Sequence, residues 1–143
     1  MSPLIFSFPA DYGYVALAAS STGFLGLFQT IAVSKARKAA QIPYPAPYAS
    51  NEEAKSNPAA MRFNCAQRAH ANTLEALPFF LFSLLFTGLR YPRYAAGCGA
   101  TWVIGRLIYT MGYASGVPAK RNRGVFHNFG YFGWISTYAC HPS

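Results

Sequence analysis

Residues 14–33 form a run of 20 residues without a charged side chain, and Gln29 is its one strongly polar member. A helix of this length, at about 1.5 Å per residue, crosses the ~30 Å hydrocarbon core of a bilayer. The composition agrees, because 52% of the 143 residues are hydrophobic and only 11% are charged, against about a quarter charged in a soluble domain. The mean hydropathy is +0.15. These features predict an all-α integral membrane protein.

Three more apolar segments follow, and together they predict a four-helix bundle in one domain, residues 1–143. The predicted transmembrane helices are about 14–33, 62–89, 94–113 and 125–140. We call the connections loop 1 (34–61), loop 2 (90–93) and loop 3 (114–124). Three prolines in residues 42–48 of loop 1 end any helix that continues from the first span, since proline has no backbone N–H. We therefore expect loop 1 to be extended, with its second half in water.

Lysine and arginine residues are distributed unevenly over these connections, which predicts the orientation of the chain. Loop 2 has Arg90 and Arg93, and residues 1–11 have none. Loops 1 and 3 and their flanks are richer: Lys35, Arg37, Lys38, Lys55, Arg62, Lys120, Arg121 and Arg123. Loops 1 and 3 should then face the cytosol. The net charge of +8 is accordingly explained by the basic residues of the cytosolic loops, and no nucleic-acid partner is expected.

Polar residues at the head of the second span share one face of a helix: Arg68, Asn72 and Glu75. Their spacings of four and seven residues place them in one stripe. The third span has a second such face, made by Arg106, Tyr109 and Tyr113. Ionisable groups at membrane depth cost at least ~2.5 kcal/mol each on insertion scales, so they usually face a bundle interior or a wet cavity. The two stripes are therefore candidates for a polar site.

An antiparallel bundle brings these two stripes to the same depth, with Arg37 and Arg121 at the same level. The resulting cytosol-facing cavity suits a small zwitterionic or anionic ligand, because arginines bind carboxylates through two hydrogen bonds. Structural alternatives remain for each group. Arg68 could be an interfacial arginine, Glu75 could form an ion pair with Arg106, and the two tyrosines could belong to an aromatic belt.

The sequence gives no indication of a metal or nucleotide site. Its histidine, cysteine and acidic residues do not have metal-ligand spacing, and it has no glycine-rich phosphate loop. The three cysteines, at positions 65, 98 and 140, are interpreted as apolar core residues. The absence of basic residues before position 12 also argues against a cleaved secretory signal.

The polar residues lie in motifs that resemble the membrane-associated proteins in eicosanoid and glutathione metabolism, the MAPEG family. The motifs are residues 63–75 (FNCAQRAHANTLE), 105–113 (GRLIYTMGY) and 118–124 (PAKRNRG), supported by residues 33–38. The resemblance implies a trimeric four-helix membrane bundle with glutathione bound between subunits near the cytosolic face. It assigns glutathione contacts to Arg37, Arg68, Asn72, Glu75, Arg106, Tyr109 and Tyr113. It also implies a thiol-activating arginine, for which we choose Arg121 over Arg123 and Lys120.

The resemblance implies a glutathione transferase that acts on lipophilic electrophiles. Glutathione-dependent reduction of lipid hydroperoxides is an expected companion activity, and leukotriene C4 synthase activity is a further option. Glutathione would be the co-substrate, and no metal would be needed. The other expected partners are a lipophilic electrophile or lipid hydroperoxide, membrane lipid, and two further copies of the chain in a homotrimer. The expected location is the endoplasmic reticulum, with the nuclear envelope as the alternative. A non-catalytic lipid-binding scaffold of the lipoxygenase-activating type is the competing function, and a small channel or transporter is a distant third.

Overall fold

The computed structural model describes residues 7–130, and every regular element within them is helical. The order is α1 (Tyr12–Ala40), α2 (Asn51–Ser56), α3 (Pro58–Arg90), α4 (Pro92–Tyr113) and a 3-10 helix (Pro118–Gly124). Residues 127–130 are helical again. The all-α prediction is confirmed for this part of the chain. Most of the predicted span 125–140 lies outside the described residues, so the count of four spanning helices stays a prediction.

Two of the described helices, α1 and α3, are long and apolar enough to cross a membrane. They correspond to the first two predicted spans. The 22 residues of α4 give a helix about 33 Å long, which is also sufficient by length. A single residue, Tyr91, separates α3 from α4. Because the connection is so short, the two helices run antiparallel, and the start of α3 lies beside the end of α4.

The sequence prediction ended the first helix too early, at residue 33, and began the second helix too late, at residue 62. α1 continues beyond position 33 to Ala40, and Gln41 ends it in the left-handed conformation (φ 56°), donating its N–H to the carbonyl of Arg37. The basic residues expected at a lipid headgroup level are good helix formers, so they extend the helix. α3 begins at Pro58 because Asn57 caps it and proline is accepted at the first helical position.

Loop 1 contains the short helix α2, so its prediction as wholly extended was wrong. Ser50 and Glu53 form a capping box: the Glu53 N–H donates to Ser50 Oγ (3.1 Å), and the Ser50 N–H donates to Glu53 Oε2 (2.8 Å). The hydrogen bond from the Ser50 N–H lowers the pKa of the Glu53 carboxyl. The motif Ser-x-x-Glu was visible in the sequence and is a known start signal for helices.

The core is formed where α1 packs on α3 and α4 and these two pack on each other. Trp102 of α4 stacks on Phe80 of α3 with ring centroids 3.8 Å apart, and both are fully buried. Gly99 permits this close approach, because a Cβ there would lie 3.0 Å from both Ala18 Cβ and Leu84 Cδ1. The absence of a side chain at Gly99 therefore allows α4 to pack closely on α1 and α3.

Candidate functional site

The two predicted polar stripes meet through Asn72 and Arg106. Arg106 Nη1 donates a 2.6 Å hydrogen bond to Asn72 Oδ1, and the Arg106 residue is only 5% exposed. Asn72 lies in the first half of α3 and Arg106 in the second half of α4. The antiparallel juxtaposition predicted from the sequence is confirmed at this pair.

A row of cation and ring contacts continues from this pair toward loop 3. The Arg106 guanidinium carbon lies 5.5 Å from the ring centroid of Tyr109. The rings of Tyr109 and Tyr113 pack edge to face at 5.7 Å, and the Arg121 guanidinium carbon lies 5.5 Å from the Tyr113 ring centroid. These distances are within the ~6 Å range of cation–π attraction. We call Asn72, Arg106, Tyr109, Tyr113 and Arg121 the polar seam.

Arg121 reaches this position because the 3-10 helix folds back along α4. The Lys120 carbonyl oxygen occupies the space in which a side chain at Gly112 would begin. Gly124 similarly packs against the backbone of Gly105 and Tyr109. Larger residues at these two glycines would push the segment away from α4. The sequence showed both glycines, but their function became clear only from this packing.

Arg68 and Glu75 form an ion pair with each other at 2.9 Å, two turns apart on α3. Their side chains remain 49% and 56% exposed on this chain. The alternative in which Glu75 pairs with Arg106 is not formed, because Glu75 binds Arg68 and Arg106 binds Asn72. The three polar residues of α3 thus share a face, as expected. Arg68 and Glu75 bind each other, whereas Asn72 binds Arg106 of α4.

Arg37 is held by loop 1 and the start of α3. Its Nη1 donates a 2.8 Å hydrogen bond to the Ala46 carbonyl. Its guanidinium carbon lies 4.3 Å from the Tyr44 ring centroid and 4.5 Å from that of Phe63. These contacts fix the proline-rich part of loop 1 against the bundle. They give Arg37 a structural function that the sequence motif did not indicate.

Gln29 of α1 is a buried polar residue that sequence analysis did not assign to the site. It is 1% exposed, and its Nε2 donates to Thr73 Oγ1 and Thr110 Oγ1, both at 2.8 Å. Thr73 directly follows Asn72 in α3, and Thr110 directly follows Tyr109 in α4. The available signal was its position as the strongly polar residue of an otherwise apolar span.

An apolar groove of about 380 Å³ opens between α1 and α4 on the loop 2 side of Arg106. Its lining residues are Tyr14, Leu17, Ala18, Ser21, Ala96, Ala100, Val103 and Ile104. Within residues 7–130, no group of three or more histidine, cysteine and acidic side chains could hold a metal ion. The polar seam itself is built from cationic, amide and phenolic groups.

Residues 15–140 match the family model described as MAPEG family. The chain belongs to the MAPEG family. The match includes the whole polar seam, all of α3 and α1 from residue 15 onward, so α1 and α3 of this MAPEG protein are helices of an integral membrane protein. Membership associates it, in general terms, with membrane-bound glutathione or eicosanoid metabolism.

A curated relative shares one segment with this MAPEG protein. It is the uncharacterized protein sll1147 of Synechocystis sp., which is 48% identical over 52 residues. The shared segment is 36% of this chain and 38% of the relative. The chain therefore covers well under half the length of the relative that it matches.

Proposed function

We propose that this protein is a membrane-bound glutathione transferase that conjugates glutathione to lipophilic electrophiles. The observation that supports this proposal is the polar seam, in which Asn72 orients the buried guanidinium of Arg106 and two tyrosines lead to Arg121. Glutathione carries two carboxylates, one ammonium and a thiol. Guanidinium groups suit its carboxylates, and an amide and phenols suit its peptide groups.

The remaining assigned residues complete the proposed site from a neighbouring subunit. Arg68 and Glu75 are about half exposed, although they lie within α3, a helix that crosses the membrane. Such charges require a polar environment or a partner. A homotrimer with glutathione between subunits would cover them, with Glu75 holding the ammonium and Arg68 a carboxylate. Arg37 would contribute from the end of α1 while it also anchors loop 1.

The chemistry in this proposal depends on the thiol of glutathione. A free thiol of pKa about 8.5 is only about 3% thiolate at pH 7. A guanidinium that lowers this pKa by about two units raises the fraction to about three-quarters. Arg121 supplies that charge and stays protonated in a partly desolvated site. The thiolate sulfur then bonds to the electrophilic carbon, and the bond from that carbon to the displaced group breaks. The displaced group either departs as an anion or stays attached elsewhere in the product and takes a proton from water.

Several finer assignments belong to the same proposal. We propose, from the motifs at residues 63–75, 105–113 and 118–124, that within the family the chain resembles the type 3 microsomal glutathione transferases. That branch supports a peroxidase reaction, in which two glutathione molecules reduce a lipid hydroperoxide to its alcohol and water and form glutathione disulfide. It also supports leukotriene C4 synthase activity. We propose a single domain over residues 1–143, located in the endoplasmic reticulum or nuclear envelope with its site facing the cytosol.

Calorimetric titration of glutathione into detergent-purified protein tests this proposal, together with conjugation of a chromogenic aryl halide. We expect saturable binding and conjugate formation. Arg93→Ala is the matched arginine control, because Arg93 pairs with Asp11 at the opposite end of the bundle, and it should bind glutathione normally. Absence of glutathione binding in wild-type protein would contradict the proposal and favour the non-catalytic lipid-binding scaffold.

A further inference from the structure

The hydrogen bonds of Gln29 join three helices at one depth. Its Nε2 in α1 donates to Thr73 Oγ1 in α3 and to Thr110 Oγ1 in α4, each at 2.8 Å. All three residues are nearly inaccessible to solvent, at 1%, 3% and 1% exposure. Hydrogen bonds between buried side chains favour one arrangement of the elements that they join.

The two threonines determine how the Gln29 amide is oriented. Thr73 Oγ1 donates its proton to the Ala69 carbonyl (3.1 Å), and Thr110 Oγ1 donates to the Arg106 carbonyl (2.8 Å). Each hydroxyl oxygen therefore accepts from Gln29, and only the amide nitrogen has two protons to give. Within residues 7–130, Gln29 Oε1 has no hydrogen-bond partner. The contribution of Gln29 to this cluster is thus its pair of N–H donors.

This cluster lies directly behind the polar seam. Thr73 is the neighbour of Asn72, and Thr110 binds the backbone of Arg106. The bridge consequently fixes α3 and α4 relative to each other within one helical turn of the Asn72–Arg106 hydrogen bond. We propose that Gln29 is a positioning residue, which sets the α3–α4 alignment in which Asn72 orients Arg106 for an anionic ligand. This inference rests on the proposed function, since glutathione is the ligand whose binding reports it.

Two kinds of variant separate the hydrogen bonds from the packing. Gln29→Met keeps a similar volume but has no N–H donor. Thr73→Val with Thr110→Val removes both acceptors at nearly constant shape, whereas Thr73→Ser with Thr110→Ser keeps both oxygens. We expect the methionine and double-valine variants to raise the glutathione Kd by about fivefold or more, the scale of network mutations without ligand contact. The double-serine variant should stay near wild type.

Thr30→Val is the matched control, because Thr30 is the next residue of α1 and its hydroxyl donates to the Gly26 carbonyl of its own helix. It should bind glutathione normally. A double-mutant cycle with Asn72→Ala then distinguishes positioning from general destabilisation. If Gln29 acts through the Asn72–Arg106 pair, Gln29→Met should weaken binding much less in the Asn72→Ala protein than in the wild type. Purely additive effects would overturn the proposal.

Thermal unfolding in detergent, measured without glutathione, provides a second cycle for the same residues. Coupling between Gln29 and Asn72 in the unfolding midpoint is expected even if glutathione is not the ligand. Lack of glutathione binding by wild-type protein would therefore contradict the proposed function alone. Unchanged affinity in folded Gln29→Met, or in the single Thr110→Val variant if Gln29→Met does not fold, would contradict the positioning role alone.

Discussion

Arg106 donates a 2.6 Å hydrogen bond to Asn72, and this bond joins α4 to α3 in the part of the bundle where the proposed site would need a fixed cation. Hydrogen bonds with an ionised donor are short and about twice as strong as neutral ones. Asn72 therefore holds the guanidinium in one orientation. The ring contacts to Tyr109 and Tyr113 extend this fixed geometry toward Arg121.

Replacement of Asn72 by alanine should weaken glutathione binding by about tenfold or more, because hydrogen bonds to charged groups contribute ~1.5 to 3 kcal/mol. Calorimetry on detergent-purified protein measures this change. Asn57→Ala is the matched amide control, since Asn57 caps α3 at its first turn, away from the polar seam. An unchanged Kd in folded Asn72→Ala would show that Arg106 needs no such support.

Replacement of Glu75 by glutamine keeps the size of the side chain and removes the charge that we assign to the ammonium of glutathione. We expect the affinity for glutathione to fall by about an order of magnitude, from the strength of hydrogen bonds to charged groups. The stability should change little, because an exposed ion pair such as Arg68–Glu75 contributes only about 0 to 1 kcal/mol. Glu52→Gln, in α2, is the control. Normal affinity with a lower unfolding midpoint would instead identify Glu75 as structural.

Replacement of Arg121 by alanine should separate binding from thiol activation. Arg121 is on the 3-10 helix, and its guanidinium lies beside the Tyr113 ring of α4. Its loss should leave glutathione binding nearly normal. The ultraviolet absorbance of the thiolate and most turnover at pH 7 should disappear. Turnover should recover partly as the pH rises through the thiol's own pKa of about 8.5, because the thiolate then forms without help. Loss of both signals in Arg123→Ala but not in Arg121→Ala would assign activation to Arg123.

Replacement of Arg37 by leucine should loosen loop 1, since the hydrogen bond to Ala46 and the stacking on Tyr44 and Phe63 are lost. We expect faster proteolysis between residues 42 and 50. Arg37→Lys keeps the charge but not the planar group that stacks on rings, so it should also expose the loop. A ligand function of Arg37 without a structural one would appear as weaker glutathione binding with unchanged protease resistance.

The predicted orientation can be tested by cysteine labelling in sealed vesicles, with the native cysteines at positions 65, 98 and 140 replaced. Asn51→Cys in α2 should react with an impermeant reagent added from the cytosolic side, because the basic residues of loops 1 and 3 favour that side. Arg90→Cys in loop 2 is the matched control and should react only from the opposite side. The reverse labelling pattern would show that loops 1 and 3 face away from the cytosol.

The sequence indicated the apolar helices because span length and the absence of charge are local properties. It also placed Asn72 and Arg106 at one depth, since the short predicted connection, residues 90–93, makes the second and third spans antiparallel. The ends of α1 and α3 and the helix α2 were missed. The residues of loop 1 were compatible with both helix and coil, and the capping box at Ser50 decided between them.

The partner of each polar residue was decided by the tertiary structure. Periodicity places Arg68, Asn72 and Glu75 on one face, but the rotation of α3 against α4 determines which of them meets Arg106. That rotation follows from contacts distant in sequence, such as Gly99 against Ala18 and Leu84, and from the Gln29 amide between two threonines. The sequence therefore determined the membrane helices and the residues available for a site. Packing between helices determined that Asn72 meets Arg106, while Arg68 and Glu75 pair within α3, and that the 3-10 helix brings Arg121 to Tyr113.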